Sequence, residues 1–487
     1  MSGPSLPKYV VEEVNYAVSH NAGRPRTVLD VGCGTGINGK VLRERGAHVT
    51  GIDIVPASIE RAKKVLDEVI SVDITTDAVL EALKGRKFDL IVFADVLEHV
   101  YDPLSVLRRL TNLLEDGGHV IVSLPNIVAW TVRSSILTGK FEYEPSGILD
   151  DSHVRFFTQD TAQRMVRDAG LEIMRLDLNP MIVRAAKPII RKRLIAQQAG
   201  GEIDPFALAK SPVYQGYMRY VRPLEGLLAK GAPGLLAFQH VVVARKPPKP
   251  GPLSLTVGML TLNEEESVAK MIDEIRQYAP DAKLLVVDSS SDRTPEIAAS
   301  MGARVVRQLP PRGHGPAMER LMYEAASESD ALIYLDCDFT YPAEYIPRIR
   351  QLLEDGADMV NASRTHHYPK AMPVPNFLAN RLFAATAQLV HGVPTTDVHS
   401  GMRGYRSSMI RAFSFDGQGD ALPLDTLILP AKSNYNVVEM PIAYAERVGT
   451  SKLAKVRGTV WTFARIAREI GEGQRVRRGG HYRVIDS

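Results

Sequence analysis

Two series of short apolar runs alternating with amphipathic segments fill this chain, and Arg245-Lys246-Pro247-Pro248-Lys249-Pro250-Gly251-Pro252 lies between them. Four prolines and a glycine among charges cannot continue a strand or a helix, so the stretch reads as an extended connector. It predicts a domain over residues 1–245, a linker over 246–253 and a second domain over 254–487. In the first series, Thr27–Val31, His48–Ile54, Phe88–Ala94, His119–Leu124 and His240–Ala244 read as strands. Gly39–Arg45, Ile59–Leu66 and Leu104–Leu114 read as helices. In the second, Ser254–Met259, Lys283–Val287, Arg304–Arg307 and Ala331–Leu335 read as strands with helical segments between them. Such alternation predicts an α/β domain on each side of the connector, each a parallel sheet covered by helices. Residues 176–235 mix basic stretches with Pro212, Pro223 and Pro233 and read as a helical insertion before the last strand.

At 487 residues the chain is too long for one ordinary core. Its 45% apolar and 24% charged content is that of a soluble globular protein. A net charge of +3 gives no reason to expect a nucleic-acid partner. Cys33 and Cys337 are the only cysteines, which excludes a disulfide framework and points to a reducing, cytoplasmic setting. Met1 to Tyr16 has no apolar run of the secretory kind, and no stretch reaches the roughly 18 apolar residues of a spanning helix. Peripheral membrane contact remains open, because the basic tail from Arg465 to Arg483 could touch anionic lipid.

Val28-Leu29-Asp30-Val31-Gly32-Cys33-Gly34-Thr35-Gly36 is a strand running into a glycine loop and then a helix. Glycines let a ligand approach the backbone where a Cβ would collide, and the helix start adds unpaired N–H groups. Gly34 to Gly39 also fits the dinucleotide pattern, so a nicotinamide cofactor and an adenosyl one both stay open at this point. Asp53 ends the next strand, where a carboxylate can accept both hydroxyls of a ribose. Asp30 precedes the glycines, placed to face an ammonium or a sulfonium, and Asp73 is placed to meet an adenine amine. Cys33 reads as a small spacer within the loop.

With Ala94-Asp95-Val96-Leu97-Glu98-His99-Val100 and the turn at Gly117-Gly118, this ordered set resembles class I S-adenosylmethionine-dependent methyltransferases. The resemblance covers residues about 20 to 245 and extends through Gly147 to Thr158, which is similar to methyltransferases of sugar and cell-surface biosynthesis. It implies a Rossmann-like sheet, S-adenosylmethionine as cofactor, and cofactor contacts at Asp30, Gly32, Gly34, Gly36, Asp53, Asp73 and Asp95. Methyl transfer needs in-line alignment and sometimes a base; His99 and His153 are the imidazoles near the expected cleft, and His99 is the candidate base.

The second series collects acids at strand ends: Asp288 after Val286-Val287, and Asp336-Cys337-Asp338 after Tyr334-Leu335. Alternate residues of extended chain share a face, so Asp336 and Asp338 can point into one metal ion. Mg2+ or Mn2+ takes oxygen ligands and is commonly shared with phosphates, where it stabilises a departing diphosphate. Together with Leu262-Asn263-Glu264-Glu265, these segments resemble family 2 glycosyltransferases of the GT-A fold. Asp397-Val398-His399-Ser400-Gly401-Met402-Arg403 and Arg447-Val448-Gly449-Thr450-Ser451-Lys452 are similar to segments of polyprenyl- or dolichyl-phosphate mannosyltransferases. This resemblance covers residues about 254 to 455, and departs from the pattern at Thr340, where those relatives carry glutamine.

It implies inverting transfer from a nucleotide-diphospho sugar to a polyprenyl phosphate or a glycan. Asp288 and Asp336 would hold the nucleotide sugar, and Asp336 and Asp338 the metal. Arg403, Arg447 and Lys452 would neutralise phosphates, with Arg403 close to the chemistry. A hydroxyl acceptor would need a base, for which Asp397 and Asp425 are the candidates; an ionised phosphate would need none. The chain therefore reads as a bifunctional transferase. The alternative is a glycosyltransferase carrying a catalytically silent methyltransferase-like domain.

Overall fold

The computed structural model describes residues 15–181, 216–418, 422–445, 462–467 and 482–485. The chain divides into two compact units, with the boundary between Pro247 and Pro248. Each is a sheet flanked by helices. Among the described residues no helix is long and apolar enough to cross a membrane.

In the first unit, β1 (Thr27–Val31), β2 (His48–Asp53), β3 (Glu68–Ser71), β4 (Phe88–Ala94), β5 (Leu114–Pro125), β6 (Glu172–Pro180) and β7 (Ala237–Arg245) make one sheet in the order β3-β2-β1-β4-β5-β7-β6. Val28, Leu29 and Val31 of β1 are buried, as a strand covered on both faces by helices requires. Register aligns the strand ends: Val31 stands opposite Ile52 of β2 and Phe93 of β4, so Asp53 and Asp95 finish at the same edge as the glycine loop. Cys33 packs beneath that loop; a Cβ on Gly51 would lie 2.7 Å from its Sγ. The helix after the loop spans Ile37–Glu44, two residues earlier than expected, because left-handed Gly36 (φ +81°) ends the turn and frees Ile37 for the first helical position.

Two expectations need correction. The sheet is mixed: β7 runs antiparallel to both β5 and β6, since the alternation that signals crossover connections carries no information about a strand returning at the end of the domain. Residues 172–180, partly assigned to a helical insertion, are the strand β6, whose inward side chains Ile173, Leu176 and Leu178 are buried. Helices do occupy Arg222–Gly231 and Pro233–Leu236. The segment around Pro212 lies outside the described residues.

His240 sits within β7 at 2% exposure, and no described residue hydrogen-bonds its Nε2. Burial lowers its pKa to about 4. The unfolded chain binds this proton near pH 6.5, the folded one only near pH 4, so stability is complete above 6.5 and falls as pH drops through that window. The group's share is about 3 kcal/mol. Urea unfolding of the full chain at pH 7 and pH 4.5 should show His240→Leu losing less stability on acidification than the wild type.

The second unit holds β8 (Leu255–Thr261), β9 (Lys283–Asp288), β10 (Arg304–Arg307), β11 (Ala331–Leu335), β12 (Met359–Ser363), β13 (Met402–Arg406), β14 (Val437–Pro441) and β15 (Tyr482–Val484), ordered β10-β9-β8-β11-β13-β12-β14-β15. Here too the expected all-parallel sheet is interrupted, by β13 running antiparallel between β11 and β12. Thr261 pairs with Asp288 and Asp288 with Arg307, which brings the ends of β8, β9 and β10 level. The far edge is tied by Glu439 of β14. This buried carboxylate accepts from Asn361 Nδ2, Thr395 Oγ1, Thr396 N and Oγ1, and the Tyr482 hydroxyl at 2.6 Å.

Candidate active sites

Gly32, Gly34 and Gly36 all take left-handed φ, +64°, +53° and +81°, which L side chains rarely adopt. The loop they form is packed as well as bent: a Cβ on Gly32 would meet Val96 Cγ2 at 2.6 Å. Asp53 ties it to the end of β2. Its Oδ2 accepts from Gly34 N (2.8 Å), and its Oδ1 from Ile54 N and Val55 N (2.8 Å each). Asp30 is buried below the loop, where a Cβ on Gly39 would approach its Oδ2 to 3.0 Å; it faces the first turn of the following helix. Asp73 is exposed and caps its own turn, accepting from Thr75 N and Oγ1, and those bonds lower its pKa.

Asp95 directly follows β4, at φ +56°. Both of its oxygens accept from Gln239 Nε2 (2.6 Å each), and Oδ1 also accepts from Ser123 Oγ. Asn15 and Asn179 complete this amide network by bonding Ser123, Gln239 and each other. Gln239 was not singled out from the sequence; it lies on β7, and nothing in its apolar surroundings marks it. Three of the non-glycine residues with positive φ, Asp95, Asn263 and Phe339, each follow the end of a strand at one of the two acidic edges, where strained backbone concentrates in functional sites.

Beyond Asp95 the chain makes a single 3₁₀ turn, Leu97–His99. The carbonyl of Glu98 accepts from Val154 N (2.9 Å) and Arg155 N (3.0 Å), which draws the 148–155 loop against the turn. His99 and His153 therefore meet edge to face, with ring centroids 4.8 Å apart. His153 is buried and His99 exposed. Burial lowers the pKa of His153. Glu98 is 1% exposed, and burial with the nearby Asp95 carboxylate holds its pKa well above the usual range.

In the second unit Asp288 is wholly buried. Its oxygens take Thr261 Oγ1 (2.7 Å), Ser290 Oγ (2.6 Å), Ser290 N (3.0 Å) and the Arg307 guanidinium. It thus orders the 288–294 loop from inside, and Arg307, unnoticed in the sequence, is its counter-ion. Asp336 accepts from the Tyr334 hydroxyl through Oδ1. Its Oδ2 lies where a Cβ on Gly401 would be 2.2 Å away, so any side chain at 401 would push the carboxylate aside. Asp338 Oδ1 accepts from Thr340 N (3.1 Å) and Oγ1 (2.5 Å), so Thr340 fixes the second carboxylate. Burial, then the proximity of Asp338, raises the pKa of Asp336, as expected of two carboxylates sharing one place. Two neighbouring carboxylates, one of them set against Gly401, offer the oxygen donors that a hard divalent cation takes.

Four assignments change. Asp397, offered as a base, is buried in a two-pronged ion pair with Arg364: Nε to Oδ2 at 2.7 Å and Nη2 to Oδ1 at 2.8 Å. Burial would raise its pKa, but the guanidinium outweighs this and the net shift is downward, which leaves a poor proton acceptor. Asp425, the other candidate base, is 1% exposed and 3.3 Å from Arg465 Nε. Arg403 is fully buried and donates to the carbonyls of Val398 and Pro423 and to Thr426 Oγ1, so it braces the protein interior rather than a phosphate. Arg465, taken as the start of a lipid-facing tail, is buried on Asp416 and Asp425. Arg447 and Lys452 lie outside the described residues.

Comparison with known proteins agrees with the two sheets. Residues 6–176 match the model of a methyltransferase domain, and residues 256–413 that of glycosyl transferase family 2. A dolichyl-phosphate hexose transferase of Haloferax volcanii is 38% identical over 205 residues, 42% of this chain and 88% of the relative. A ubiquinone biosynthesis O-methyltransferase of Pseudomonas paraeruginosa is 35% identical over 166 residues, 32% of this chain and 70% of the relative. Among solved structures, glucosyl-3-phosphoglycerate synthase from Mycobacterium tuberculosis is 21% identical, covering 45% of this chain and 81% of that one, with a TM-score of 0.37. The chain belongs to two enzyme families joined in one polypeptide, a methyltransferase domain followed by a family 2 glycosyltransferase.

Proposed function

We propose that the second domain transfers a sugar, with inversion, from a nucleotide-diphospho donor to a polyprenyl phosphate, and that the first transfers a methyl group from S-adenosylmethionine. The observation that carries the acceptor is the state of the two candidate bases. Asp397 and Asp425 are both buried against arginines. A hydroxyl acceptor would have to give up its proton to one of them, whereas a phosphate is already ionised at neutral pH and needs no base. The name of the Haloferax relative supports the same acceptor. Asp336 and Asp338 would hold Mg2+ or Mn2+, which when bound offsets the charge of the leaving nucleoside diphosphate. An acceptor phosphate oxygen forms the bond to the anomeric carbon as the bond to the diphosphate breaks, and that electron pair leaves with the nucleotide. Asp288 shapes the nucleotide side by ordering its loop through Ser290 and Thr261. A lipid acceptor brings the enzyme to a membrane surface from the cytoplasm.

Incubating the full chain with a panel of nucleotide sugars and polyprenyl phosphate, with and without magnesium, tests this reading. Metal-dependent release of nucleoside diphosphate together with a lipid-linked sugar is expected. Transfer to a free glycan but not to the lipid phosphate would count against the acceptor.

In the first domain, the glycine loop, Asp30, Asp53, Asp73 and Asp95 would hold the adenosyl cofactor, and His99 offers an exposed imidazole on the acceptor side. In this reading the Asp53 carboxylate, already ordered by the amides of Gly34, Ile54 and Val55, accepts from the ribose hydroxyls with its remaining lone pairs. Titration calorimetry with S-adenosylhomocysteine should show Asp53→Ala binding about 100-fold more weakly than wild type, the loss of charged hydrogen bonds worth roughly 1.5–3 kcal/mol each. Tight binding of NAD in place of S-adenosylhomocysteine would overturn the assignment, and binding of neither would favour a silent domain.

A further inference from the structure

We propose that His314 and Tyr334 form a hydrogen-bond relay that orients the Asp336 carboxylate for its divalent ion, which makes both of them positioning residues for sugar transfer. The inference rests on the reading above that Asp336 and Asp338 hold the metal. Tyr334 is buried at 1% exposure, and its hydroxyl donates to Asp336 Oδ1. On its other side the same hydroxyl lies 3.2 Å from His314 Nε2. The two rings meet near edge to face, with centroids 6.5 Å apart and planes at 75°.

The direction of the relay follows from counting hydrogens. An ionised carboxylate only accepts, so the one hydroxyl hydrogen of Tyr334 goes to Asp336. The Tyr334 oxygen can then only accept from His314, whose Nε2 must carry hydrogen. Each donor thus points towards the carboxylate that would ligate the ion. Hydrogen bonds aligned head to tail in a low-dielectric interior strengthen one another.

The fold holds both ends of the relay. Tyr334 lies in β11 and Asp336 just beyond it, two residues apart on extended chain, so their side chains share a face. Tyr334 stands opposite Gly258 of β8 on one side and Arg403 of β13 on the other. The helix His314–Glu328 covers that face: a Cβ on Gly258 would meet Leu321 of the helix at 2.9 Å and Leu332 of β11 at 3.0 Å. His314 is the first residue of the helix, and Gly313, at φ +100°, turns the chain into it. The imidazole therefore stands on a packed helix rather than on a loop. Asp336 is confined from its other side as well. Its Oδ2 faces Gly401, and its N–H donates to Gly401 O at 3.1 Å. With Oδ1 held by Tyr334, the carboxylate is fixed before any ion arrives. A ligand oriented in advance gives up little freedom on binding, and hydrogen bonds that hold a ligand from behind are worth roughly 10–100-fold in metal affinity.

The test titrates Mn2+ into chelator-stripped full-length protein and follows the electron spin resonance signal of the free ion. Wild type should take up a stoichiometric amount that Asp338→Asn loses. Tyr334→Phe, which removes only the hydroxyl, should weaken uptake roughly 10–100-fold, and His314→Leu about tenfold. His314→Gln should stay close to wild type, because its amide N–H can still donate to Tyr334. In nucleotide-sugar turnover, Tyr334→Phe and His314→Leu should raise the magnesium concentration needed for half-maximal rate, with the rate recovered at saturating magnesium. Thermal midpoints, measured in parallel, report folding. A side chain that merely packs would shift the midpoint and leave Mn2+ affinity alone, and that result would overturn the relay. So would Tyr334→Phe and His314→Leu proteins that bind Mn2+ as wild type does. Wild type that takes up no Mn2+, or an Asp338→Asn protein that keeps wild-type affinity, would instead remove the metal reading on which the relay depends.

Discussion

Asp338→Asn should lower nucleotide-sugar turnover about a thousandfold while leaving S-adenosylhomocysteine binding and the thermal midpoint close to wild type. Asparagine keeps the shape of the side chain, and its carbonyl oxygen can still accept the bonds that Thr340 N and Oγ1 give to Asp338. What it removes is one of the two negative charges that would anchor the divalent ion. The remaining carboxylate, Asp336, already shares an oxygen with the Tyr334 hydroxyl and is pressed against Gly401, so it has little freedom to compensate. The fall should appear in turnover at saturating donor and be partly relieved by excess Mg2+. Release of nucleoside diphosphate, followed over a magnesium titration, measures both. Turnover within a few-fold of wild type at ordinary magnesium would mean that the Asp336–Asp338 pair is not the metal anchor. Gly401→Ala offers an independent approach to the same place, because its Cβ would have to displace the Asp336 carboxylate.

The strand cores and the acidic strand ends were legible because their signals are local. Phe88–Ala94, Arg304–Arg307 and Ala331–Leu335 run as the apolar patterns predict. The glycine loop and Asp-x-Asp follow their strands directly. Partners distant in sequence were not legible. A carboxylate near the end of an extended segment looks alike whether it faces a ligand or an arginine. Asp397 was therefore read as a base, although Arg364 holds it, and Asp425 likewise, although it meets Arg465. Arg403 was misplaced for a related reason. Met402-Arg403-Gly404-Tyr405-Arg406 has no apolar alternation, yet all five residues are buried, because the long arginine side chains reach interior carbonyls. Glu98 and His153 became neighbours through the two backbone bonds at Glu98 O, which no spacing rule encodes.

Arg364→Ala should destabilise the second domain by about 3–5 kcal/mol, more than most single substitutions, because it strands a charge in the interior. Asp397 is fully buried, and Arg364 supplies two side-chain donors and one backbone donor to it. The same guanidinium also donates to His399 O and lies over the rings of Tyr341 and Tyr444, at 5.6 and 5.5 Å. The Tyr341 hydroxyl in turn accepts from Gly401 N, so the ion pair braces the wall on which Asp336 rests. Asp397→Asn alone should cost less, since the amide oxygen can keep one of the two backbone bonds that Arg364 N and His399 N give to the separate carboxylate oxygens. Combined with Arg364→Ala, it should cost clearly less than the sum of the two, because the neutral side chain no longer needs a counter-ion. Urea denaturation of the four proteins gives the coupling directly. A coupling near zero would show that the pair contributes no net interaction and would reopen Asp397 as a candidate base. A coupling of about 2 kcal/mol or more would fix it as a brace for the acidic edge and leave the acceptor to bring its own charge.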